Sequence, residues 1–81
     1  MEREQQAKEA AAQRIDSGIM EQKFALAWMR EQLAAIPVPA DDASPEEKQA
    51  YAREKVKIDA KEVEIERQEE YRAFIKEKFN V

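Results

Sequence analysis

The sequence predicts an all-α fold: an antiparallel, coiled-coil-like two-helix hairpin that associates as a dimer into a helical bundle. Three observations lead there. The 81-residue chain holds one Gly and three Pro, and is otherwise rich in Ala, Glu, Lys, Gln and Arg, which enter helices at little cost. Its punctuation is confined to one segment, IPVPADDASPEE at 36–47. On either side, apolar residues recur at steps of three and four, the spacing of a coiled-coil seam. A charged chain of low hydropathy also fits disorder; the periodicity argues for folded helices.

The first helix is predicted over 3–35. Pro37 lacks a backbone N–H and pushes Ile36 out of helical geometry, so the helix ends near Ala35. Its seam runs Ala12, Ile15, Ile19, Gln22, Leu26, Met29, Leu33 and Ile36, with Gln22 its one polar member. Asp16-Ser17-Gly18 offers an alternative, a break that turns the chain into a three-helix bundle. The register passes from Ile15 to Ile19 without a phase change, which favours a continuous helix bearing one Gly at about 1 kcal/mol. A Gly here would also permit close approach of another helix.

The connecting loop spans 36–44. Ser44-Pro45-Glu46-Glu47 then supplies a full helix start: Ser44 caps the N–H of Glu47, the Glu47 carboxylate reaches back to Ser44, and Pro45 takes the first helical position. The second helix is predicted over 45–79. Its matching seam is Ala52, Val56, Ala60, Val63, Arg67, Tyr71 (or Glu70) and Phe74, ending near Val81. Folding the chain at residues 40–41 then sets Leu26 near Val56, Ile19 near Val63, Ile15 near Arg67, and the stem of Lys8 along Phe74. Arg67 has a second option, pairing with Asp16 or Glu70 at the rim. The whole of 1–81 reads as a single domain.

FALAWMREQL at 24–33 carries more apolar residues than one face accommodates. Met20, Phe24 and Trp28 fall about 180° from the first seam at 100° per residue. In the second helix Tyr51, Ile58, Ile65 and Phe79 recur at multiples of seven, with Arg72 in the missing step, opposite Val56 and Val63. Each helix is thus expected to carry an outer apolar stripe that a lone hairpin leaves in water, and such stripes mark interfaces. Met20, Phe24, Trp28, Tyr51, Ile58, Ile65 and Phe79 are the candidate interface residues. Trp28, the only tryptophan, is the favoured anchor, because tryptophan is enriched among binding hot spots.

Composition narrows the chemistry. The chain has no His and no Cys, which removes the commonest general acid/base, the commonest transition-metal ligand and any thiolate. No catalytic, cofactor-binding or metal-binding residue is assigned, and no enzyme is expected. A net charge of −4 argues against a phosphate-binding surface, so a nucleic-acid-associated regulator is kept only as an alternative. The first ten residues, MEREQQAKEA, lack a signal peptide's apolar core, and no apolar run nears the ~20 residues that span a bilayer. A soluble, cytoplasmic chain is expected. Its function is read as a non-enzymatic protein–protein interaction module: an oligomeric hairpin acting as adaptor, assembly component, or small inhibitor or regulator of a partner protein.

Overall fold

Two long helices account for nearly all of the structure, a computed structural model that describes residues 2–81. Helix α1 spans Glu2–Ala34 and α2 spans Pro45–Phe79, and they pack against each other as a hairpin. No strand occurs among the described residues. The particle measures 66 × 18 × 13 Å between Cα extremes, with a radius of gyration of 18.6 Å. A compact chain of this length would have a radius near 12 Å. The hairpin is a thin rod.

The helix ends follow the local chemistry. Helix α1 begins with Glu2 and Glu4 beside its positive end, a favourable placement against the helix dipole. It closes with Ala35 N–H donating to the Glu31 carbonyl and Ile36 N–H to that of Leu33, a tightened last turn before Pro37. The loop is held by Ala43 N–H to Ala40 O and by Lys48 Nζ to Asp41 O at 2.6 Å. Ser44 Oγ accepts from Glu47 N–H at 3.2 Å, with Pro45 at the first helical position. Among the described hydrogen bonds the reciprocal Glu47 contact is missing, so the predicted capping box closes on one side. At the far end Asn80 adopts φ 58° and donates its N–H to Lys76 O, an αL cap that Asn tolerates better than most residues.

At Gly18 the favoured continuous helix forms, and one secondary expectation does not hold. Helix α1 runs unbroken through Asp16-Ser17-Gly18, so the three-helix alternative does not form. Nor does Gly18 mark a close approach: a Cβ built there meets nothing within 4 Å.

The seam of α1 is the predicted one. Ala12, Ile19 and Leu26 are buried, and Ile15, Gln22, Met29 and Leu33 are half-buried beside them. Ile36 alone leaves it and is exposed. The seam of α2 is the reverse of the expectation. Ile58 and Ile65, assigned to the outer stripe, are 7% and 5% exposed, whereas Val56 and Val63, assigned to the seam, are 65% and 47% exposed. Tyr51 is half-buried and Ile75, which belonged to neither stripe, is buried. Leu26 therefore packs with Ile58 and Ile65, not with Val56, and Met29 and Leu33 close over that cluster.

Two physical causes select this face. The observed seam, Tyr51-Glu54-Ile58-Lys61-Ile65-Gln68-Arg72-Ile75, keeps the strict three–four alternation that α1 also keeps, so the two ridges stay in mesh along their length. The Ala/Val stripe is more continuously apolar but irregular in step. Charge settles the rims: Arg30 pairs with Glu62, Lys23 with Glu69 at 3.4 Å, and Asp16 with Arg72 at 2.7 Å. Lys61 Nζ donates to Gln22 Oε1 at 2.7 Å. Each exposed pair contributes under about 1 kcal/mol, but together they fix rotation and register. Asp16 meets Arg72, not Arg67, and Lys8 lies over Phe79, its Nζ 5.8 Å from the ring centroid, not along Phe74.

Candidate functional site: two apolar edges

Among the described residues six buried ones, Ala12, Ile19, Leu26, Ile58, Ile65 and Ile75, form the core, and no large side chain is fully enclosed. The consequence is a high exposed area. The chain presents 6744 Å² to solvent, whereas a compact monomer of 9.4 kDa would present about 5,000 Å². The excess on this one chain is about twice what one partner contributes to a specific protein–protein interface, ~800 Å², and goes with the shape of a thin two-helix rod.

Much of the apolar part of this surface is gathered on two edges. On α1, Phe24 and Trp28 are 66% and 63% exposed, with Met20 one turn before them. Steps of four advance only about 40° around a helix, so the three form one slowly winding ridge opposite the seam. On α2 the outer edge carries Val56, Val63, Tyr71 and Phe74, all exposed. That edge is also about 180° from its own seam. The two ridges therefore lie on the two narrow sides of the rod, facing away from each other, and no single helix covers both.

Of the seven candidate interface residues, the structure brings Met20, Phe24 and Trp28 together on the α1 edge. Ile58 and Ile65 are withdrawn into the seam, and Tyr51 sits half-buried beside the loop. Phe79 is exposed near the end of α2, under Lys8. The α2 edge is made instead by residues the sequence reading placed in the seam. The signal for them was present, an apolar stripe of Ala and Val with two aromatics; its assignment to the inside was at fault.

The α2 edge is furrowed. A groove of about 590 Å³ lies at Ala52 and Val56, between Gln49, Arg53 and Lys57, and another of about 350 Å³ runs from Ala60 past Val63 and Arg67 to Tyr71. Both open where a small residue leaves a gap between longer ones. A third concavity, about 640 Å³, lies where Ile36, Pro37 and Val38 pass Ala50 and Tyr51. Among the described residues no group of three or more carboxylates is placed to hold a metal ion, and no helix is long and apolar enough to cross a membrane.

Comparison with protein-family models, curated proteins and solved structures gives no match to this chain. The class its own geometry defines is an all-α two-helix hairpin with an apolar ridge on each outer edge.

Proposed function

We propose that this protein is a non-enzymatic interaction module that works by presenting its outer ridges to other protein surfaces, as an adaptor, assembly component or small regulator of a partner. The observation that carries the reading is the Met20–Phe24–Trp28 ridge, a contiguous apolar row left in solvent. A monomer seldom leaves such a row uncovered without a use for it, and tryptophan is among the residues enriched at binding hot spots. The large exposed area supports the same reading: the hairpin by itself covers too little of its apolar surface. Catalysis has no place in the proposal, because a chain without His or Cys would depend on carboxylates that stand on open helix faces. Nucleic acid is disfavoured by the pairing of Lys23, Arg30 and Arg72 with carboxylates of the opposite helix.

The test is a mass measurement on the wild type and on Trp28→Ala, followed by capture of binding proteins with each. A mass that falls on substitution, or a client lost with the indole, supports the proposal. A stable helical monomer that captures the same proteins with or without the indole contradicts it.

A further inference from the structure

We infer that the outer edge of α2 is a self-complementary dimer interface, on which α2 of a second copy packs antiparallel about a two-fold axis at Val63. The inference rests on the interaction-module reading and assigns one of its two ridges to a second copy of this chain.

Shape fixes the register of such a pair. A two-fold perpendicular to α2 at Val63 sets each residue against one equally far on the other side. Phe74 and Ala52 each lie about 16 Å from Val63 along the helix, at 1.5 Å per residue. Phe74 is exposed, and Ala52 opens the groove that runs to Val56. The symmetry therefore drives an aromatic side chain of each edge into the larger of the two grooves of the other. Arg67 likewise stands opposite Ala60, in the second groove, and Val63 meets itself. Large against small, as in the Phe74–Ala52 and Arg67–Ala60 layers, is how facing helices interdigitate, and an isologous contact repeats each of these layers on the other side of the axis.

Charge gives the same register. Along one flank of the edge the sign changes from basic to acidic: Lys48 and Lys55 come first, then Asp59, Glu66, Glu70 and Glu77. An antiparallel partner brings Lys55 to Glu70 and Lys48 to Glu77 of the second copy, each pair occurring twice. Asp59 approaches Glu66 near the axis, a like-charge contact outnumbered by the basic–acidic pairs on either side. A parallel pairing would set Arg67 on Arg67 and Phe74 on Phe74, leaving the grooves empty. The footprint is about 50 Å by 10 Å on each copy, on the order of 1,000 Å² in total, the lower bound for a specific interface.

The consequence is a closed dimer, a flat row of four helices with the two α2 at its centre. Each Met20–Phe24–Trp28 ridge then lies on an outside edge. The dimer would present two identical docking ridges, a bivalent module.

The test uses the full chain. Sedimentation should show a monomer–dimer equilibrium with nothing larger. Glu70→Lys should weaken dimerisation about tenfold, and adding Lys55→Glu should return it to within about threefold of wild type, as expected of paired charges across one interface. Because the chain has no Cys, Val63→Cys should form a disulfide-linked dimer on mild oxidation, and Trp28→Cys should not. A monomer at every concentration overturns the inference, as do open-ended oligomers or a Glu70→Lys variant that the second change fails to rescue. Cross-linking through Trp28→Cys alone also overturns it, yet leaves the interaction-module reading standing.

Discussion

The half of the hairpin near the turn and the half near the open end are built differently. Near the turn, Leu26 packs with Ile58 and Ile65 under Met29 and Leu33, a small aliphatic core. Toward the open end, Ala12, Ile19 and Ile75 are buried but stand apart from that cluster. Among these open-end residues lie Gly18, with open space about it, and the Arg72–Asp16 pair, whose Nη2–Oδ2 contact is 3.3 Å. Gln68 Oε1 and Arg72 Nη1 are buried there without partners, and unpartnered buried polar atoms are costly. The difference teaches where the hairpin is best knit. The turn half gathers its burial into one cluster and is braced by Arg30–Glu62 and Lys61–Gln22, whereas the open half has scattered buried residues and the Arg72–Asp16 pair. The open end should fray first.

Substitutions break or sharpen this contrast in order of size. Leu26→Ala or Ile65→Ala removes the turn-side core and should cost about 2–4 kcal/mol, enough to abolish cooperative helix loss in a circular-dichroism denaturant titration. Gln68→Leu replaces an unpartnered amide with an aliphatic group and should stabilise the open half by about 1–2 kcal/mol, read as slower amide exchange at that end. Ser44→Ala deletes the α2 cap at the turn and should lower stability by about 1 kcal/mol, read from the thermal midpoint. Gly18→Ala should raise that midpoint slightly, a gain of about 0.5–1 kcal/mol; a loss would mean that a neighbour occupies the space beside Gly18. Lys23→Ala removes an exposed pair with Glu69 and should change stability by less than about 0.5 kcal/mol.

The same contrast explains how much was legible in the sequence. Two helices, the loop and its Pro punctuation, the Ser44 cap and the α1 seam all follow from local rules, because each depends on residues a few positions apart. The Met20–Phe24–Trp28 ridge was legible for the same reason. The α2 face was not. Its true seam holds Glu54, Lys61, Gln68 and Arg72, so counting apolar residues favours the Val56–Val63 side. The choice is made by steady heptad spacing and by partners on α1, above all Arg30 for Glu62 and Asp16 for Arg72. Those are tertiary facts. Long polar side chains lend their stems to a thin seam while their heads find charge at the rim, a compromise that hydropathy alone ranks poorly. The Asn80 cap was missed because a helix C-terminus leaves a weaker sequence mark than Ser-Pro-Glu-Glu.

Both outer ridges depend on which face of α2 meets α1, for that choice frees the Val56–Phe74 edge and leaves the Met20–Trp28 ridge opposite it. Methyl–methyl nuclear Overhauser effects in the full chain report this directly. The account predicts cross-peaks from Leu26 to Ile58 and Ile65. Cross-peaks from Leu26 to Val56 and Val63 in their place would contradict it.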